Sequence, residues 1–210
     1  MLGMFRSKQK IFCIGRNKTG TTSLKRALSD LGFRIGNQFR AERLVQNYAR
    51  GDWAPIIKFC RTADAFQDAP FSWPYTWLIL HEHFPDARFI LTYRDPEDWF
   101  RSLIRFHAKK FGTDGNPPTR EQLQKAEYRY TGLMWEFNRA VFKTPEDDLY
   151  NKEELLRGYE AHNYSVRHFF QDKPNFIEID LSVSSDYRRL CEFLGKEPKY
   201  DDFPHLNASK

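Results

Sequence analysis

Apolar residues along this chain follow two periodicities that alternate from the N-terminus onward. Unbroken or β-rich apolar runs at 11–14, 55–59, 88–93 and 175–180 suit strands covered on both faces. Between them, apolar positions recur at helical spacing and predict helices near 21–32, 39–49, 73–84, 96–109, 119–143, 152–170 and 184–194. The alternation argues for an α/β fold with a central, mostly parallel sheet flanked by helices in three layers. Turn-rich stretches at 111–118 and 144–148 interrupt the pattern. The surrounding region, roughly 108–170, is rich in Tyr and charge and shows no strand signal. It reads as a helical insertion, either a cap that walls an acceptor site or a plain structural helical pair.

The first strand-to-helix junction carries the most chemistry. Ile11, Phe12, Cys13 and Ile14 run into Asn17, Lys18, Thr19, Gly20, Thr21, Thr22 and Ser23, and Leu24, Ala27, Leu28 and Leu31 then recur at helical spacing. Backbone N–H groups and the positive end of a helix dipole converge at such a junction, so a phosphate or sulfonate can be held largely by main chain. Gly20 permits close approach and the hydroxyls add donors. On the structural alternative, Thr and Ser cap a helix and Lys18 is solvated. Gly15 and Gly20 have the spacing of a nucleoside-triphosphate loop, yet Thr21 stands where that loop places its lysine. Lys18 instead precedes Gly20 by two residues. This Lys-Thr-Gly-Thr-Thr order resembles the 5′-phosphosulfate loop of the sulfotransferases that use 3′-phosphoadenosine 5′-phosphosulfate (PAPS).

A second segment extends the resemblance. The β-rich run from Arg88 ends at Arg94, restarts as a helix at Pro96 and reaches Ser102 eight residues after the arginine. Sulfotransferases carry an Arg and a Ser at this spacing, and the resemblance implies that Arg94 and Ser102 grip the 3′-phosphate of the nucleotide. A guanidinium offers phosphate a planar fork of donors, and a serine hydroxyl can donate from the first turns of the helix. The alternatives are that Arg94 pairs with Asp95 or Asp98 and that Ser102 faces solvent.

The resemblance implies a P-loop-type three-layer domain spanning 1–210. Within it, Lys18, Thr19, Gly20, Thr21, Thr22 and Ser23 surround the 5′-phosphosulfate, and Lys18 stabilises charge on the departing nucleotide. In the family the base that accepts the acceptor proton is a His or Glu ahead of the 3′-phosphate strand. Aligning on Pro70 puts Asp68 there, and a desolvated carboxylate can take a hydroxyl proton. Asp68 as a turn cap is the alternative, with His107, which could face the acceptor, and His81 and His83, on an amphipathic helix, as rival bases. The chain departs from the cytosolic small-molecule enzymes in two places. Ser23 stands where they carry an adenine-stacking Trp, and their C-terminal Arg-Lys-Gly-x-x-Gly clamp is absent. The similarity is therefore to compact, divergent members of bacterial type, and Leu190–Gly195 resembles the family's last helix.

Composition changes the picture little. A chain of 210 residues, 40% hydrophobic and 16% aromatic, can build one sizeable core. Its net charge of +5 suits a polyanionic nucleotide, and its basic residues are interleaved with acids rather than blocked as nucleic-acid binding favours. Cys13, Cys60 and Cys191 read as reduced core thiols rather than a disulfide frame or metal site. No signal peptide or membrane span is recognisable, so cytoplasm is expected. The glycosylation-like triplets at Asn17, Asn163 and Asn207 are read as accidental. The expected activity is transfer of a sulfuryl group from PAPS, leaving 3′,5′-adenosine bisphosphate (PAP), to a hydroxyl or amine of a small-molecule or carbohydrate acceptor. No metal, nucleic acid or membrane is expected to take part. The competing readings are a P-loop kinase of a nucleoside or small metabolite and a non-catalytic nucleotide- or nucleic-acid-binding module.

Overall fold

A computed structural model of the chain describes residues 9–204. Four strands, β1 (Ile11–Cys13), β2 (Ala65–Phe66), β3 (Arg88–Tyr93) and β4 (Phe176–Asp180), form one parallel sheet in the order β2-β1-β3-β4. Alternation of side chains across each strand divides the core into two. Phe12, Phe66, Phe89 and Leu91 point to one face, and Ile11, Cys13, Ala65 and Ile90 to the other.

Among the described residues, ten helices surround the sheet: α1 (Thr21–Asp30), α2 (Gln38–Glu42), α3 (Val45–Ala49), α4 (Ala54–Phe59), α5 (Thr76–His83), α6 (Pro96–Phe111), α7 (Arg120–Lys125), α8 (Leu133–Phe137), α9 (Lys152–Phe170) and α10 (Ser185–Leu194). A π-helical turn, Asn138–Phe142, continues α8. The Phe12 face is covered by Ile56 and Ile57 of α4, Trp77 and Leu80 of α5, and Val166 and Phe170 of α9. The opposite face is covered by Leu24 and Leu28 of α1 and by Tyr187, Leu190 and Leu194 of α10. These are the three layers expected, with α1 fixed at the exit of β1.

Several expected elements differ. Residues 55–59 are not a strand but lie in α4. Pro55 sits at the start of that helix, where its missing N–H is harmless, and Ile56, Ile57 and Cys60 recur on its buried face. The strand beside β1 is the two-residue β2, flanked by Asp64, Gln67 and Asp68, too short and polar-edged to stand out as a pattern. The helix expected over 39–49 is two, parted at Arg43 and Leu44. The long helix expected over 119–143 breaks where Ala126 is extended and Gly132 has φ 87°. Of the region read as an insertion, α9 packs on the sheet, and shorter elements fill 112–151.

Two of the glycosylation-like triplets can be placed. Asn163 is 2% exposed within α9, Asn17 lies in the loop after β1, and Asn207 lies outside the described residues. Cys13, Cys60 and Cys191 are buried free thiols. No helix among the described residues is long and apolar enough to cross a membrane.

Close packing ties the β1 exit to β3. A Cβ on Gly15 would lie 2.2 Å from Thr92 Oγ1 and 2.4 and 2.5 Å from its backbone oxygen and nitrogen. Gly15→Ala is expected to force the strands apart and destabilise by about 1–3 kcal/mol, as overpacking does. For a chain of this size that lowers Tm by at least about 2 °C in a thermal melt.

Candidate active site

The loop between β1 and α1 is held by side chains from β3 and α6. Thr19 Oγ1 donates to the Arg16 carbonyl at 2.6 Å and lies 2.6 Å from Thr92 Oγ1. Trp99 Nε1 donates to the Asn17 carbonyl at 2.9 Å, and one Arg94 guanidinium nitrogen donates to the Lys18 carbonyl at 3.0 Å. Lys18 itself has φ 70°, a left-handed conformation unusual for a side-chain-bearing residue. Arg94 is fixed in turn by Tyr159. The buried phenol accepts from the Arg94 N–H at 3.1 Å, donates to its carbonyl at 2.8 Å and stacks on Trp99 at 4.4 Å.

This framework leaves the start of α1 open. Its N-cap is Gly20 with φ 93°, no side chain caps the first turn, and that turn contains no acidic residue. The start of this ten-residue helix therefore has no N-cap side chain and lies beside Lys18 and Arg94, an arrangement that favours an anion. Gly20 cannot be replaced cheaply, because a Cβ there would meet Leu181 at 2.9 Å in a conformation that already disfavours side chains.

The expected site residues fall into distinct roles. Thr19 is 2% exposed and its hydroxyl is spent inside the loop, so only its backbone is free to meet a ligand. Thr21 is buried and donates to Asp68 Oδ2 at 3.4 Å; Thr22 is exposed and Ser23 buried. Arg94 pairs with neither Asp95 nor Asp98. Asp95 caps α6 by accepting from the N–H groups of Glu97 and Asp98, and Asp98 pairs with Arg101. Ser102 is half-buried, three residues beyond Trp99 and four before Phe106, on the stripe of α6 that faces the loop. The Lys18 ammonium lies over the Phe106 ring, 3.9 Å from its centroid.

Lys18 and Asp68 reach one electrostatic environment. Burial lowers the Lys18 pKa and Arg94 adds to that, while Asp68 works against it. Burial raises the Asp68 pKa and the neighbouring Glu42 raises it further; the Ala69 N–H, Lys18 and Thr21 oppose the shift. Asp68 also closes its own turn, since Oδ1 accepts from the Ala69 N–H at 2.9 Å and its φ is 60°.

The rival histidines sit elsewhere or are enclosed. His107 is 4% exposed, its Nδ1 lies 2.7 Å from the Tyr150 hydroxyl, and burial followed by Lys18 pushes its pKa down to about 3. His81 packs against Phe89, Phe169 and Phe170, and His83 Nδ1 lies 2.9 Å from the Ile79 carbonyl. Five contacting residues escape sequence reasoning: Thr92, Phe106, Tyr159, Glu42 and Trp99. The stripe Trp99, Ser102, Phe106 is the one signal that could have found two of them.

Behind the loop lies a cavity of about 860 Å³ walled by Tyr48, Trp53, Trp77, Trp135, Gly158 and His162. None of the expected site residues lines it. Arg16, 3% exposed, stands beside it, donating to the Ser72 carbonyl at 3.4 Å, with burial lowering its pKa to about 10. His162 Nε2 lies 2.8 Å from the Ile14 carbonyl and ties this wall to β1. Among the described residues, no group of three or more His, Cys, Asp or Glu side chains is placed to hold a metal ion.

Because the Asp68 pKa is raised on folding, the folded state binds its proton more tightly than the unfolded state, and stability falls as pH rises through the interval between the two values. Above that interval the destabilisation is complete; below it there is none. Asp68→Asn removes the ionisation and keeps a residue type tolerant of positive φ. The variant is expected to melt above the parent at pH 7, by about 2–4 °C for each kcal/mol recovered. The gap should close as pH falls below the ordinary aspartate range, in paired melts at pH 3 and 7.

A family model described as a sulfotransferase domain covers residues 10–210, essentially the whole chain. No curated protein matches it.

Proposed function

The chain belongs to the sulfotransferase domain family, and from that premise we propose that it moves a sulfuryl group from PAPS to a hydroxyl or amine of a small-molecule or carbohydrate acceptor by in-line displacement. The observation that carries this reading is the convergence of Lys18, Arg94 and the uncapped start of α1 on one loop. The chemistry of these groups fits the donor. An open helix N-terminus suits the 5′-phosphosulfate, and Arg94 has four guanidinium N–H donors beyond the one engaged with Lys18, enough for a bidentate grip on the 3′-phosphate. Ser102 adds a hydroxyl on the same face of α6.

When bound, the donor supplies an activated sulfuryl group on a phosphate leaving group. Asp68 accepts the proton from the acceptor as the acceptor's oxygen or nitrogen bonds to sulfur, and Lys18 stabilises the charge left on the bridging oxygen. The raised pKa of Asp68 makes it a stronger base than an exposed aspartate. His107 is enclosed among Phe111, Phe142 and Tyr150 and contributes packing. Three buried free thiols fit a cytoplasmic setting.

Two measurements test this reading. PAP is expected to bind in the micromolar range by calorimetry and more tightly than 5′-AMP, and Arg94→Met should erase that preference; equal affinity for the two nucleotides in the parent removes the 3′-phosphate role. With 4-nitrophenol as probe acceptor, Lys18→Ala should lower PAP release from PAPS by about 10²–10³-fold and Asp68→Asn by about 10²–10⁴-fold. Magnesium-dependent ATP turnover without PAP affinity would point instead to the kinase.

A further inference from the structure

Glu42 is a carboxylate 6% exposed, far from the chain ends and unrelated to the family motifs, yet it stands beside the candidate base. It is held by an arm from the distant 112–151 region. Between α7 and α8 the chain doubles back at 126–132, with Glu127 and Thr131 forming an antiparallel bridge and the Gly132 N–H donating to the Ala126 carbonyl at 3.2 Å. The tip of this arm carries Tyr128 and Arg129. Arg129 Nε donates to Glu42 Oε2, and the Tyr128 hydroxyl donates to Oε1 at 3.4 Å. The guanidinium also lies over the rings of Tyr128 and Phe39, at 4.4 and 5.1 Å.

Glu42 connects to the Asp68 turn from the other side as well. Gln38 Nε2 lies 3.4 Å from Glu42 Oε1 and 3.0 Å from the Ala69 carbonyl, so one glutamine joins the carboxylate to the residue whose N–H Asp68 accepts. A buried carboxylate needs a counterion, and the arm supplies it as Arg129. We propose that Glu42 and Arg129 are positioning residues for Asp68: their ion pair latches the 126–132 arm beside the base and sets the charge next to it.

The inference rests on the reading of Asp68 as the base. The ionisable groups that act on Asp68 are Glu42 from α2, Lys18 from the loop and Tyr128 from the arm. Lys18 favours the ionised carboxylate and Glu42 opposes it, while Arg129 acts through Glu42 by neutralising part of its field. The two halves of the pair therefore push Asp68 in opposite directions. A simple brace has no such sign. Removing either partner of a brace breaks the same bond and loosens the same arm.

The test reads Asp68 directly. The ¹³C carboxyl resonance of Asp68, assigned by its loss in Asp68→Asn, is titrated by NMR in the parent, Glu42→Gln and Arg129→Gln. Glu42→Gln should move the midpoint down and Arg129→Gln should move it up, each by about half a pH unit or more, with PAP affinity unchanged in both. Shifts of the same sign, or none, reduce the pair to a brace and overturn the proposal. If Arg129→Gln does not fold, Arg129→Lys keeps the charge and must leave the midpoint where the parent has it; a displaced midpoint overturns the proposal equally. Failure of the base assignment is separate: it appears as full turnover in Asp68→Asn, whatever the titrations show.

Discussion

The site depends on how tightly the loop after β1 is pinned to β3 and its following helix. Gly15 has no room for a side chain against Thr92, Thr19 shares its hydroxyl with the same threonine, and Trp99 and Arg94 each take a loop carbonyl. Four attachments over a handful of residues hold Lys18 in a left-handed conformation that costs a non-glycine residue about 1–2 kcal/mol. The start of α1 beside Lys18 has no N-cap side chain. Remove the pinning and nothing local would keep the lysine and the helix start turned toward the same space.

Around that frame the charges are arranged against stability. Lys18, Arg16 and Asp68 are all desolvated, and in each case burial is the leading cause of the shift. Such groups persist where surrounding structure compensates. Here the compensation is visible in the Tyr159 clamp on the Arg94 backbone, in the Phe106 ring against the Lys18 ammonium, and in the Ala69 N–H and Thr21 hydroxyl that donate to the aspartate. Sites that prepare charge before a substrate arrives have this character, because a preorganised group needs no reorganisation at the moment of reaction.

The parts legible in the sequence were those set by short-range order. The β1–loop–α1 unit and the β3–α6 unit each combine an apolar run, a turn and a capped or dipole-compatible helix start within twenty residues, and both form. The misreadings have local causes. Residues 55–59 look alike as strand or helix until Pro55 is given its position-specific meaning, and the arm at 126–132 interrupts a helical pattern through long-range contacts. Phe106, Tyr159, Glu42 and Arg129 act across 87 residues or more of chain in three of four cases. Hydrophobic periodicity shows that Tyr159 is inside but not that its hydroxyl meets the Arg94 backbone. Asp68 could be picked out only by the proline two residues on.

The hydrogen bond from Arg94 to the Lys18 carbonyl joins two residues that resemblance assigns to opposite ends of one nucleotide. A change of the arginine therefore alters the lysine's setting even with no ligand bound, whereas the carbonyl it holds persists whatever side chain stands at position 18. Sequence drift through this site is constrained to coordinated replacements: a lineage that exchanges the arginine must first, or at once, find another tether for the lysine's peptide.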